Sequence, residues 1–281
     1  MNSTYYAPAK INLSLKVSNS VRPDGYHDVD IVMARLDLAD RLDFHNSRTT
    51  TLLCDAPGIP TDESNLVMKA VREFEKVYGR KAKQRITLTK NIPSGAGLGG
   101  GSADAAVTLL ALNERLGTNY DLSELSAMAA AVGSDVPFFL NPVISSCTGR
   151  GEIVTPLPDL AGWSSPVVLL KPQFGVSTPS AYRGLKGAHR MKGVSLKDQK
   201  VDQIKLMNDL ERSVFTKFPF LGLMKMWLLK RPGVKAALMT GSGSTLFALT
   251  DTIEHAQAVA AAAKEELDPS LFTFCGTVNP Q

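Results

Sequence analysis

Ile11, Leu13, Leu15 and Val17 alternate with Lys10, Asn12, Ser14 and Lys16. That period of two predicts a half-buried strand with Lys10 and Asn12 sharing its polar face. Arg22-Pro23-Asp24-Gly25 predicts a turn, because proline presets φ and glycine accepts a positive one, and the turn presents Tyr26 and His27. A second extended stretch is expected from Val29 to Leu36. The period then changes: Leu66, Val67, Ala70, Val71, Phe74, Val77 and Tyr78 fall on one helical stripe, with Gly79 where a C-terminal cap belongs. Ile86 and Leu88 alternate with threonines as a strand that runs straight into a glycine-rich loop at Pro93, after which a helix is expected from about Ala103 to Leu116, closed by Gly117.

Asp121 with Glu124 has the form of a capping box for a helix over Leu122 to Ala131, stopped by Gly133. Gly149 to Leu157 reads as another strand. Pro156, Pro158, Gly162 and Pro166 punctuate the chain near residue 160, so an N-terminal lobe of residues 1–160 and a C-terminal lobe of 161–281 are expected. Val167 to Leu170 opens the second lobe as a strand. Arg183 to Lys200 is rich in Lys and Arg and lacks periodicity, which predicts a mobile loop. Helical patterns return over Asp209 to Leu229, a strand over Ala236 to Thr240 enters a second glycine loop, and Ile253 to Leu267 closes as an alanine-rich helix.

Composition narrows the class. The chain has 281 residues, 44% of them hydrophobic and 21% charged, which excludes disorder. Single cores split near this size, so two lobes with a site between them are expected. The formal net charge of +4 is too small an excess to imply nucleic acid or a membrane as partner, and it suits an anionic small substrate. No apolar run approaches the roughly 18–20 residues that span a bilayer, since Lys217 and Lys225 interrupt the richest segment. Without the pattern of a signal peptide or transit sequence at the N-terminus, a cytoplasmic protein is expected. Cys54, Cys147 and Cys275 lack CxxC or His-paired spacing and read as reduced thiols.

The strongest chemical signal is Pro93-Ser94-Gly95-Ala96-Gly97-Leu98-Gly99-Gly100-Gly101-Ser102-Ala103, where glycines end a strand and open a helix. Such a loop lets backbone N–H groups approach an anion, and the helix dipole adds favourable potential there. A flexible connector is the plain alternative, but it would not sit tightly between a strand and a helix. Gly95, Gly97 and Gly100 also match G-x-G-x-x-G, yet the acidic residue that a dinucleotide site needs at the end of a second strand is absent. No G-x-x-x-x-G-K-[ST] occurs, so a nucleotide phosphate held here takes its lysine from elsewhere. Ser102 offers a hydroxyl to phosphate or to Mg²⁺, and Asp104 is either a ligand or a dipole partner in the first helical turn.

This loop resembles the central motif of the GHMP small-molecule kinases, whose glycine loop binds ATP without such a lysine. Ala7-Pro8-Ala9-Lys10-Ile11-Asn12-Leu13 resembles that family's first motif and Gly241-Ser242-Gly243-Ser244-Thr245 its third, in family order and across nearly the whole chain. Arg22 to His27, Gly133-Ser134-Asp135-Val136-Pro137-Phe138-Phe139 and Asn208-Asp209-Leu210-Glu211 resemble the branch that acts on a cytidine diphosphate sugar alcohol. The resemblance implies an α+β fold with an N-terminal α/β lobe and a ferredoxin-like C-terminal lobe. It also implies ATP-dependent phosphorylation of that substrate's 2-hydroxyl in the non-mevalonate route to isoprenoid precursors.

On that resemblance Asp135 is the expected base and Lys10 its partner, holding the carboxylate ionised and offsetting charge on the transferred group. Singly, each would read as a capping carboxylate and a solvated strand lysine. Residues 93–103 and Asn65 are expected to hold ATP, with Mg²⁺ screening its phosphates and no ligand set assigned. Asn12, Tyr26, His27, Gly241 and Ser242 are expected at the substrate, Tyr26 by stacking on cytosine and His27 through its base edge. Tyr182 is expected to supply the opposite stacking face, with Phe174 as competitor. The basic residues from Arg183 onward are a further candidate for attracting the diphosphate. Ser145-Ser146-Cys147 stands where the family carries smaller residues, and Ser94 replaces a common Met. A homoserine or mevalonate kinase of the same family would not need the Tyr26-His27 turn. A nicotinamide oxidoreductase or a non-catalytic nucleotide- or RNA-binding module would leave Lys10 and Asp135 without a role. A monomer or homodimer is expected.

Overall fold

In the computed structural model, residues 2–280 are described except 142, 186, 188 and 190. The first strand, β1 (Ser3–Val21), pairs antiparallel with β2 (His27–Asn46) across the Arg22–Tyr26 turn. Both run well beyond the expected limits. In β2 the alternation continues through Leu36, Leu38, Leu42 and Phe44, each buried, so the strand does not stop at Leu36.

Two register shifts in the β1–β2 ladder, at Pro8/Lys10 and at Asn12/Ser14, decide what β1 does. Ala7, Leu15 and Val17 pack into one core cluster, whereas Ala9, Ile11 and Leu13 between the shifts pack into the other. A simple two-residue period would keep Ile11 to Val17 on one face. The shifts change the face, as an irregular strand segment must. Lys10 and Asn12 are thereby turned inward rather than left on a solvated face, and both are almost wholly buried.

Next come β3 (Thr51–Cys54), α1 (Leu66–Tyr78) and β4 (Gln84–Thr89). α1 is capped by Asn65 and ends at Gly79 in the left-handed region, as its pattern predicts. α2 (Gly100–Leu116) starts three residues before the expected Ala103, and α3 (Leu122–Val132) has the Asp121–Glu124 capping box. The strand expected from Gly149 is instead a hairpin of β5 (Ser145–Thr148) and β6 (Ile153–Pro156). Gly149 and Gly151 have φ of 71° and 112°, which turns the chain where a strand was expected.

β7 (Ser165–Lys171) is followed by the short helix α4 (Thr178–Arg183), then β8 (Gln199–Val201) and β9 (Ile204–Asn208). The end of the expected basic loop is therefore strand, and Lys186, Ala188 and Arg190 of that stretch lie outside the described residues. The helix expected over Asp209 to Leu229 is two, α5 (Leu210–Lys217) and α6 (Pro219–Leu228), because Pro219 cannot donate into a continuing ladder. β10 (Val234–Met239), β11 (Leu246–Thr250), α7 (Ile253–Glu266) and β12 (Phe272–Val278) complete the chain. Their order with β7, β12-β7-β11-β10, is the split βαββαβ arrangement of a ferredoxin-like lobe.

The fold is thus α+β with two lobes, as expected, but one sheet runs through both. β12 pairs with β2 through Val278 and Leu36, and β1 pairs in parallel with β9 through Ser14–Met207 and Leu15–Asn208. The glycine loops at the ends of β4 and β10 meet β1 where this continuous sheet changes lobes.

Candidate active site

The glycine loop has defined peptide orientations. Thr245 N–H donates to the Ala96 carbonyl (3.3 Å), and the Thr240 hydroxyl lies 3.2 Å from the Gly97 carbonyl. In a trans peptide N–H and C=O point in opposite directions. The N–H groups of Gly97 and Leu98 therefore face away from the 240–245 loop, and neither has a partner among the described residues. A Cβ on Gly97 would overlap the Thr240 carbonyl, and φ of +76° there disfavours any other residue. Gly99 caps α2 with no side-chain hydrogen bond, which leaves the first helical N–H groups for a ligand. A Cβ on Gly99 would meet the Phe139 ring at 2.8 Å and the Lys10 stem at 3.0 Å.

Lys10 runs beneath this loop. Its backbone N–H donates to the Leu98 carbonyl (2.9 Å), and its Nζ donates to Asn12 Oδ1 (2.5 Å) and lies 3.5 Å from Asp135 Oδ2. An ammonium only donates, so the Asn12 amide must turn its oxygen to Lys10. Its Nδ2 has no partner among the described residues. Asp135 follows the end of α3 at Gly133, and a 3₁₀ turn begins two residues later at Pro137, so its carboxylate is held on a tight corner. The Asp135 charge and burial both act on neighbours. The Cys147 thiol is pushed up to about 12, mainly by burial and then by Asp135, so it stays protonated and unreactive. The Tyr182 phenol is raised to about 12 for the same two reasons.

Two adjoining cavities share Asp135, Thr178 and Tyr182. The smaller, about 230 Å³, lies between the glycine loops with Lys10, Asn12 and Ser242 on its walls. The larger, about 610 Å³, lies against Tyr26, His27, Arg150 and Arg183. His27 Nδ1 sits 2.8 Å from the Ser18 carbonyl, so that nitrogen carries the proton and Nε2 of the neutral ring is an acceptor. The His27 and Tyr182 rings are 5.8 Å apart and tilted by 33°. Phe174, the competitor, stacks instead on Phe218 at 5.3 Å. The guanidinium of Arg150 lies over the Tyr26 ring at 5.3 Å.

Other expected residues have structural partners. Asn65 uses its oxygen to cap Val67 N–H (2.9 Å) and its Nδ2 to bond the Pro60 carbonyl (2.6 Å). Ser242 and Thr178 share a hydroxyl hydrogen bond of 2.9 Å across the small cavity, next to Gly241. Asp104 is not directed at a ligand. It lies under the loop, where Lys90 Nζ bonds both Asp104 (2.8 Å) and Asp40. Burial first, offset in part by Lys90, raises its carboxyl to about 7. Ser102, in the first turn of α2, keeps its hydroxyl unpartnered among the described residues.

Sequence reasoning missed Thr178, Thr240, Arg150 and the Lys90–Asp40–Asp104 cluster. Arg150 carried a faint signal, lying between two glycines that force a turn. The others are brought to the site only by pairing between distant segments.

The chain matches two family descriptions, GHMP kinases N terminal domain at residues 65–141 and GHMP kinases C terminal at residues 200–268. It is 40% identical over 265 residues to a 4-diphosphocytidyl-2-C-methyl-D-erythritol kinase of Methylacidiphilum infernorum (isolate V4), covering 90% of this chain and 91% of that protein. A protein of the same name from Geobacillus sp. (strain WCH70) is 40% identical over 253 residues, 86% of each chain. A crystal structure of 4-(cytidine 5'-diphospho)-2C-methyl-D-erythritol kinase superposes with a TM-score of 0.81 at 33% identity, over 99% of this chain and 100% of that one. A homoserine kinase from Cytophaga hutchinsonii shares the fold, with a TM-score of 0.72 at 18% identity over 99% and 94% of the two chains.

Proposed function

This chain belongs to the 4-diphosphocytidyl-2-C-methyl-D-erythritol kinases of the GHMP kinase family, and on that premise we propose how its cleft phosphorylates the 2-hydroxyl of that substrate. The chain is a phosphotransferase of isoprenoid biosynthesis with an alcohol acceptor, and ATP is the donor throughout its family. The observation that carries the site assignment is the position of Asp135. It stands on the wall common to both cavities, beside Lys10.

Phosphoryl transfer needs an oriented hydroxyl, an aligned γ-phosphate and positive charge where negative charge develops. Asp135 accepts a hydrogen bond from the substrate hydroxyl and takes its proton late, as a loose transition state allows. Lys10 faces both that carboxylate and the glycine loop, so it offsets charge on the phosphoryl group in transit. Asn12, its oxygen held by Lys10, presents Nδ2 as a donor to the acceptor side. The N–H groups of Gly97 and Leu98, with those opening α2, receive the phosphates. Gly241 and Ser242 close the small cavity from the C-terminal lobe.

At the far end the cytosine ring lies against Tyr26 and Tyr182, with His27 Nε2 accepting from its exocyclic amine. Arg150 and Arg183 set positive charge beside the diphosphate. Mg²⁺ fits as the ATP complex. The described residues hold no group of three carboxylate, His or Cys donors, and Asp104 is committed to Lys90, which leaves the hydroxyls of Ser94 and Ser102 as the loop's side-chain oxygens, Ser102 being the one in the first turn of α2. When bound, the ion screens the phosphate charge. Asn65, whose amide is engaged in capping, would meet adenine through its free hydrogen. The lobes meet near residue 160 in this reading, and the enzyme is cytoplasmic, monomeric or homodimeric, without nucleic-acid or membrane partners. Among the described residues no helix is long and apolar enough to cross a membrane.

The test is ADP release from Mg-ATP with 4-diphosphocytidyl-2-C-methyl-D-erythritol, run beside homoserine, mevalonate and the same sugar alcohol phosphate without cytidine. Turnover with the cytidylated substrate alone is expected. Equal turnover without cytidine would remove the role given to Tyr26, His27 and Tyr182.

A further inference from the structure

Thr240 lies at the end of β10, fully buried, and its hydroxyl stands between two segments distant in sequence. It accepts the Asn12 backbone N–H (3.1 Å), and its single hydrogen is shared between the Gly97 carbonyl (3.2 Å) and the longer contact to Asn12 Oδ1 (3.4 Å). One hydroxyl from the C-terminal lobe thus meets both the strand that carries Lys10 and Asn12 and the peptide that aims the Leu98 N–H at phosphate.

The backbone on either side of Thr240 is itself clamped. Asn208 Nδ2 donates to the carbonyls of Met239 (2.6 Å) and Gly241 (2.8 Å), and Glu211 Oε1 accepts the Met239 N–H (2.9 Å). Glu211 is in turn held by Lys225 Nζ at 2.5 Å. These bonds flank Thr240 and leave its side chain little freedom, which is the arrangement expected where a hydroxyl orients other groups rather than meeting a ligand itself.

We propose that Thr240 is a positioning residue for phosphoryl transfer, acting through Asn12 and Gly97. Its hydroxyl holds the acceptor-side amide and the phosphate-side peptide at a fixed separation, so that Lys10 and Asn12 face the reacting groups. This inference rests on the kinase assignment above. Loss of the hydroxyl would leave a buried N–H and a buried C=O unpaired on opposite sides of the reacting centre. Both would shift to find other partners, and a displacement near 1 Å there costs on the order of a hundredfold in rate.

The experiment compares wild type, Thr240→Val, Thr240→Ser and Asn12→Ala, and the Asn12→Ala/Thr240→Val double variant, under saturating Mg-ATP and cytidylated substrate. Thr240→Val keeps the shape and should lower kcat by on the order of tenfold to a hundredfold. Thr240→Ser should restore it to within a few-fold of wild type. Asn12→Ala removes the Asn12 side-chain contact of Thr240 and keeps its bonds to the Asn12 backbone N–H and the Gly97 carbonyl, so the valine substitution should cost measurably, though not wholly, less in the Asn12→Ala background. A merely structural residue would not show that coupling. If Thr240→Val does not fold, Thr240→Ala and Thr240→Ser form the same comparison, differing by the hydroxyl alone. Wild-type kcat in Thr240→Val, or an equal loss in both backgrounds, overturns the proposal. A wild-type enzyme that fails to phosphorylate the substrate would instead overturn the assignment on which it rests.

Discussion

Lys10 Nζ lies 3.5 Å from Asp135 Oδ2, and the two meet although one comes from an interior strand and the other from the corner after a helix. The lysine side chain is 4% exposed and the aspartate 35%, so the pair has a dry side and an open side. The open side faces the cavities. Substituting Asp135 by Asn removes the proton acceptor and keeps the shape. Turnover should fall by about 10²–10⁴ while ATP binding changes little. Steady-state kinetics with ATP titrations on a protein of unchanged melting temperature checks this, and near-normal turnover in folded Asp135→Ala would reject the base assignment.

His27→Ala should raise KM for the cytidylated substrate by about five- to tenfold, since a hydrogen bond to the base edge is worth roughly 1–1.5 kcal/mol. KM for ATP should stay within a factor of about two. Parallel titrations of both substrates decide it, and equal effects on the two would count against a base-reading role.

Gly97→Ala tests the close approach of the two glycine loops. The added carbon overlaps the Thr240 carbonyl at a left-handed backbone position, so the loop must move. The loss in kcat/KM for ATP should be at least on the order of a hundredfold. Gly79→Ala, also left-handed but with open space around it, should lower stability modestly and spare the kinetics.

Asp104 provides a pH test. Its carboxyl is raised to about 7 by burial, whereas in the unfolded chain it titrates near the ordinary value of about 4. Between those values the folded state holds a proton that the unfolded state has released. This contribution to stability is complete below the lower value and falls away as pH rises through the upper one, by roughly 1 kcal/mol per pH unit. Asp104→Asn cannot titrate and still offers an oxygen to Lys90. Its melting temperature should therefore gain on wild type from about pH 5 to about pH 8. A constant difference across that range would contradict the burial argument.

The Glu211–Lys225 pair is more than nine-tenths buried on both sides and bonded at 2.5 Å. Lys225→Met leaves an unpaired buried carboxylate and should cost about 3–5 kcal/mol in denaturant unfolding. Adding Glu211→Gln, which can still accept the Met239 N–H, should recover most of that loss. No recovery in the double variant would show that the cost came from packing.

Period and turn chemistry suffice, without any contact map, for the helix over Leu66–Tyr78 with its Asn65 and Gly79 ends, the Asp121 capping box, and the glycine loop between β4 and α2. These are local: each depends on residues within a few positions of one another. Motif order likewise identifies the family, whose chemistry singles out Lys10, Asp135 and the loop of residues 93–103. Local pattern misleads where the cause is distant. Ile11 to Val17 looks like one uninterrupted face, but the ladder with β2 shifts register between Asn12 and Ser14, as it does before Lys10, and Lys10 and Asn12 are buried in the site. Asp104 looks like a dipole partner or a ligand until Lys90 and Asp40 arrive beneath it. Thr240 is an ordinary strand-end threonine until the sheet continues from one lobe into the other and sets its hydroxyl against Asn12 and Gly97. Hydrogen bonds and buried charges take their meaning from partners within a few ångströms. In this chain those partners are supplied by segments that only the folded sheet brings together.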